Sequence, residues 1–167
     1  TFKEDIPKVQ LLECCASISD GDHQAPPKAD VGIPFVTISN ISDLRELDFT
    51  NTKFVPEAYY DGLHDKRKAR KNDILYTVVG SFGIPVHIDS DQKFAFQRHI
   101  AILRPNGNLV ISKYLYHVFL SSEFLKQANT VATGAAQKTI TLSALNKMKV
   151  PLPSLIDQAR IVAILDK

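Results

Sequence analysis

Between Ile33 and Leu103 the apolar residues come in short runs of β-branched and aromatic side chains, each stopped by glycine, proline, asparagine or aspartate. That punctuation restricts the region to short strands joined by tight turns. Residues 33–38 (IPFVTI), 73–79 (DILYTVV), 84–88 and 94–103 (FAFQRHIAIL) read as four strands. The last reads as unbroken, which puts Gln97 and Arg98 inside a strand, where pairing or burial is expected rather than ligand contact. Turns are expected at Gly80-Ser81-Phe82-Gly83 and at residues 89–92 and 105–108. Such close spacing favours antiparallel pairing or a sheet coiled on itself. Residues 9–18 fit a strand or a short helix equally well, and residues 40–50 read as a polar turn.

The pattern then changes. Leu115, Val118, Phe119 and Leu125 fall on one side of an amphipathic helix expected over residues 113–128. Residues 130–139 form a loop, and Ser143 can cap a short helix. Pro151 and Pro153 force an extended segment. Ser154 and Asp157 then make the start of a capped helix that carries Ile161, Ile164 and Leu165 on one face. Strands first and helices after give an α+β architecture, a twisted or coiled β-rich region followed by helices. With 167 residues there is room for one core. The expected division is residues 1–153 as the domain and 154–167 as the start of a longer helix, and a first residue Thr1 reads as a piece cut from a longer chain.

No apolar run is long enough to span a bilayer, so no membrane partner is expected. Cys14 and Cys15 are the only thiols. A bridge between neighbours is badly strained, so they read as core packing in a reducing compartment, the cytoplasm. Twenty basic and 18 acidic residues leave a net charge of +2, too small to name a partner. The distribution says more, because Lys66, Arg67, Lys68, Arg70 and Lys71 are consecutive but for one position. They form either a solvated loop or a phosphate-contacting strip. Five phosphate contacts would give a log–log salt slope of about −4.5, affinity without sequence reading.

Signs of catalysis are weak. No phosphate-binding loop is present, and Gly80-x-x-Gly83 lacks the third glycine of a dinucleotide fingerprint. Ser81 misses the nucleophile-elbow spacing by one residue. The histidines (23, 64, 87, 99 and 117) are scattered, so no metal site is expected. Asp91-Gln92-Lys93 with Asp73 upstream has the carboxylate and lysine arrangement of a Mg-dependent nuclease, although residues 89–92 read first as a turn. The expectation is a chain that makes and breaks no bonds itself.

Several blocks in fixed order resemble the specificity subunits of type I restriction–modification enzymes. Gly32-Ile33-Pro34-Phe35-Val36 resembles the family's G-x-P-[FW]-[IV] block. Lys71-Asn72-Asp73-Ile74-Leu75 with Gly80 and Gly83 resembles x-G-D-I-L…G-x-x-G. Gly134 and Gln137 match a G-x-x-Q loop, and Pro151-Leu152-Pro153-Ser154-Leu155-Ile156-Asp157-Gln158 with Ile161 follows P-L-P-P-L-x-E-Q-x-x-I. Asn72, Ser154 and Asp157 replace the family's usual Gly, Pro and Glu.

The resemblance implies one target-recognition domain that reads half of a bipartite double-stranded DNA target. It implies partner methyltransferase subunits that use S-adenosylmethionine, and a restriction and translocase subunit that uses ATP and Mg, with no cofactor in this chain. Candidate base or groove contacts are then His23 and Gln24, with Asp22, on the first loop. Ser81 and Phe82 join them on the glycine-bounded turn, and Gly134, Gln137 and Lys138 on the G-x-x-Q loop. Lys66, Arg67, Lys68, Arg70 and Lys71 become phosphate contacts, and Ile161, Ile164 and Leu165 a helix-pairing stripe. The alternatives are a protein-interaction module that bridges methyltransferase subunits, and the nuclease.

Overall fold

The computed structural model describes residues 5–167; Thr1 and the next three residues of the expected domain lie outside the described residues. In chain order the elements are β1 (Lys8–Gln10), a single turn α1 (Leu11–Cys14), β2 (Cys15–Asp20), β3 (Ile33–Val36), β4 (Lys53–Val55), α2 (Glu57–Asp61), β5 (Ile74–Thr77), β6 (Pro85–His87), β7 (Ala95–Phe96) and β8 (Ile100–Pro105). They continue with α3 (Ser112–Leu120), α4 (Ser122–Val131), α5 (Leu142–Lys147), β9 (Lys149–Pro151) and α6 (Leu155–Leu165). The architecture is α+β, as the strand-then-helix pattern implies.

A four-stranded antiparallel sheet, in the order β2-β8-β5-β6, forms the centre. Both of its faces are covered. Ile74, Tyr76, Ala101 and Leu103 point into the main core with Leu115, Phe119 and Phe124 of the helices, while Leu75, Ile100 and Ile102 point the other way onto Val36, Phe94 and Phe96. Alternating side chains thus enter two apolar layers, which is why β5 and β8 read as continuous apolar runs and show no polar alternation. A second sheet, β4-β3-β7, pairs β3 with β4 antiparallel and with β7 parallel. β1 and β9 pair separately and bring residues 8–10 beside 149–151.

Three expectations are corrected. The run 94–103 is two strands in different sheets, with residues 97–99 as a turn between them that exposes Arg98, because β7 pairs with β3 and β8 with β5. The helix expected over 113–128 breaks at Ser121, whose backbone is extended and whose hydroxyl accepts a hydrogen bond from Phe124 N (3.2 Å), an N-cap that restarts the helix. Thr141, not Ser143, caps α5. The expected Ser154 cap is in place, its Oγ accepting from Asp157 N at 3.2 Å. Asn72 takes φ +74°, a left-handed conformation that glycine adopts freely and asparagine better than most, so the change from Gly in the resembling motif keeps the backbone it needs.

The helix-pairing stripe also divides. Ile161 packs against the domain's own core beside Val162. Ile164 and Leu165 stay exposed, as does Ile156. Gln158 of the same helix is fully buried. Its Oε1 accepts from Ile111 N (2.8 Å) and its Nε2 donates to Leu109 O (3.1 Å) and Pro153 O (2.9 Å).

Candidate nucleic-acid interface

The loop after β2 is anchored at both ends. Asp22 bridges to Gln97, and Ala29 bridges to Phe54. Tyr59 of α2 donates its hydroxyl to Asp22 Oδ2 at 2.7 Å, and Asp22 Oδ1 accepts from Gln24 N at 3.1 Å. The phenol hydrogen bond is the main reason the Asp22 carboxyl sits below its ordinary value, while burial and this carboxylate push Tyr59 up to about 12. Between the anchors Gln24, Ala25, Pro27 and Lys28 are exposed. Two prolines restrict the backbone there, so the Gln24 amide is carried on a stiff, tethered loop.

This loop and the turn 97–99 border two adjoining concavities. One, of about 350 Å³, has Asp22, Gln24, Pro26, Lys53, Gln97 and Arg98 among its walls. The other, of about 490 Å³, is walled by Asp20, Val78, Arg98, His99, Gln137 and Thr141 among others. His23 and Arg98 belong to both. The surface therefore gathers amide, guanidinium and imidazole groups from three parts of the chain that are distant in sequence. The amides and the guanidinium are side chains that make paired hydrogen bonds to base edges.

The G-x-x-Q loop reaches the site through a five-residue tip closed by Thr133 and Thr139, which exchange backbone hydrogen bonds of 2.9 and 2.8 Å. Gly134, at φ +115°, is needed for that closure, since a Cβ there would lie 2.3 Å from Gln137 O. Its place in the motif is explained by backbone geometry. Gly80 N donates to Lys138 O (2.9 Å), and a Cβ on Gly80 would come 3.2 Å from Gln137 Nε2. The two glycine motifs thus touch, and the first leaves room for the amide of the second. Gln137 and Lys138 are exposed.

Ser81 and Phe82 separate. Ser81 is exposed at the turn and its carbonyl accepts from Thr77 Oγ1 at 2.8 Å. Phe82 is half-buried and packs against the main core, so part of its ring covers apolar surface of its own domain.

The five cations do not form one strip. Arg67 Nη2 lies 3.5 Å from Asp20 Oδ1, and Asp20 Oδ2 lies 2.8 Å from His23 Nε2, so a single carboxylate links the basic segment to the loop. Arg70 pairs with Asp65 at 3.1 Å in an exposed position, where such a pair is weak and yields to phosphate or salt. Lys68 is half-buried, donates to Asp61 O (3.0 Å) and stands over the Tyr60 ring, so it is spent on the fold. Lys66 and Lys71 are exposed and make no ion pair among the described residues.

The carboxylates of the nuclease reading are committed elsewhere. Asp73 is buried under Arg104, which donates to both of its oxygens, and Asp91 accepts from Lys71 N at 2.9 Å. Lys93 stands over the ring of Tyr60. The Arg104 pair engages both Asp73 oxygens, which counts against that reading. Sequence reasoning also missed Arg98 and Lys53. Arg98 was hidden by the apolar runs on either side of it, and Lys53 lies on a three-residue strand too short to show a period.

Comparison with known proteins follows the same line. The model of the family described as type I restriction modification DNA specificity domain matches residues 13–167. The chain is 30% identical over 163 residues to the type I restriction enzyme EcoBI specificity subunit of Escherichia coli, covering 97% of this chain and 33% of that protein. The HsdS subunit from Thermoanaerobacter tengcongensis matches with a TM-score of 0.66 and 27% identity over 99% of this chain and 38% of its own. A chain from a structure describing complex assembly and conformational transition of the type I R-M system matches at 0.70 and 25%, with 99% and 38% covered. The chain spans about a third of the length of the curated relatives it matches.

Proposed function

The chain belongs to the family of type I restriction–modification DNA specificity domains, and from that premise we propose that it reads one half of a bipartite double-stranded target. In this reading residues 1–153 are the recognition domain and α6 opens the spacer that fixes the distance to the other half. Methylation and cleavage belong to methyltransferase and restriction subunits that bind S-adenosylmethionine, ATP and Mg, and this chain directs them.

The observation that carries the reading is the convergence of Gln24, Gln97, Arg98 and Gln137 on two adjoining concavities through anchored loops. The exposed Gln24 and Gln137 amides, the half-buried Gln97 and the Arg98 guanidinium on anchored loops suit base-edge recognition, because the geometry is set before DNA arrives. Lys66 and Lys71, with Arg67 and Arg70 able to exchange their carboxylates for phosphate, supply attraction that does not depend on sequence.

A protein-interaction role is supported for one element only. Ile156, Ile164 and Leu165 of α6 are exposed, and an apolar helix surface of this kind is suited to another helix. It complements DNA reading by the domain.

The test is methylome sequencing of cells that carry the full-length specificity chain with its methyltransferase partners, before and after residues 22–28 and 134–138 are exchanged for a relative's. One half of the methylated motif is expected to change and the other to stay. An identical set of methylated positions after the exchange overturns the reading.

A further inference from the structure

The turn 97–99 is held on every side. Gln97 N donates to Val36 O (3.0 Å), Ile100 N to Gln97 O (3.0 Å) and Val78 N to His99 O (2.9 Å). Gly21 lies flat against it, since a Cβ there would come 2.2 Å from Phe96 O. Phe96 and Ile100, at either end, are buried in the second core layer. Arg98 is the exposed residue at the tip of this clamped turn.

Two acids line the same concavities, yet neither takes Arg98. Asp20 is held by Arg67 and His23, and Asp22 by Tyr59 and Gln24 N. The Arg98 guanidinium makes no hydrogen bond or ion pair among the described residues. It is thus a free planar fork on a rigid mount, flanked by the loops that carry Gln24 and Gln137. Of the basic segment, Arg67 reaches the rim of this surface through Asp20.

Resting on the reading of the chain as a DNA specificity domain, we propose that Arg98 reads a guanine of the target, donating to O6 and N7 in the major groove. Arginine suits this task better than lysine because its two parallel N–H donors match the two acceptors of guanine, whereas an ammonium supplies charge without the fork. A phosphate contact needs only the charge, and the two roles therefore separate under conservative substitution.

The experiment uses the full-length specificity chain assembled with its methyltransferase subunits and a randomised duplex DNA library, with binding measured across a salt series. Arg98→Lys and Arg98→Ala are each expected to lose preference for G·C at one position, by roughly 5- to 150-fold. The rest of the motif is expected to remain, and with Arg98→Lys the salt slope as well. Retention of the full motif by Arg98→Ala overturns the proposal, as does an equal loss on every sequence with that variant. If the wild-type assembly selects no motif, the DNA-reading function falls with it. A wild type that selects while both variants select identically removes the role of Arg98 alone.

Discussion

Arg104 grips Asp73 with a two-pronged pair, Nε donating to Oδ1 at 3.0 Å and Nη2 to Oδ2 at 2.8 Å. The same Nη2 donates to Lys68 O at 2.8 Å. Asp73 also accepts from Arg70 N at 2.9 Å, so one ion pair at the end of the β5–β8 ladder fastens the basic segment from both sides. The Asp73 side chain is only 3% exposed, which makes the pair unlike the exposed ones around it.

Removal of Arg104 leaves that carboxylate buried without its partner. Arg104→Ala is expected to lower stability by about 3–5 kcal/mol. Urea unfolding monitored by circular dichroism measures it. A loss below 1 kcal/mol means that water or another cation takes over the carboxylate.

The Asp22–Tyr59 contact sets a pH range for the recognition loop. The Asp22 carboxyl lies below its ordinary value, chiefly through the Tyr59 hydroxyl. Its contribution is present above the unfolded carboxylate value and lost as pH falls through the depressed folded one. Tyr59 is raised to about 12, chiefly by burial, so its contribution is complete below the ordinary tyrosine value and lost as pH rises through about 12. Hydrogen exchange of residues 23–28, corrected for intrinsic rates, is expected to show constant protection from about pH 5 to 9. Tyr59→Phe is expected to speed that exchange and bring the Asp22 titration back up. Unchanged exchange in this variant removes the anchor.

Within residues 66–71, Lys66 and Lys71 are exposed and make no ion pair among the described residues. Replacing both with alanine is expected to flatten the log–log salt slope of DNA binding by about 1.8, at about 0.9 per contact. The selected motif is expected to stay the same. Lys68→Ala acts on stability through Tyr60 and Asp61, with little effect on the slope. Fluorescence anisotropy of labelled duplex over a salt series separates the two, and an unchanged slope for the double variant refutes the assignment.

Much of the local structure is legible in the residue order. Pro151 and Pro153 impose extension, Ser154 caps α6, and the glycine-bounded turn ends β5's segment, because each depends on neighbours within a few residues. The Gln158 of the resembling motif is legible as a pattern, but its work is visible only in the fold, where it satisfies three backbone groups that burial would otherwise leave unpaired. The Ser121 signal was present too, a serine followed by Ser122 and Glu123, and the apolar spacing across it concealed the break.

The amino-acid order by itself determined the succession of short strands then helices, the caps and turns, and the family, since all of these are written in periods and local chemistry. Only the tertiary structure decided that His23, Arg98 and Gln137 share one surface, that Lys68 and Phe82 are spent on packing, and that residues 97–99 leave the strand. Those outcomes depend on which strands pair, and pairing is chosen by burial summed over both faces of the sheet, a quantity that no window along the chain contains.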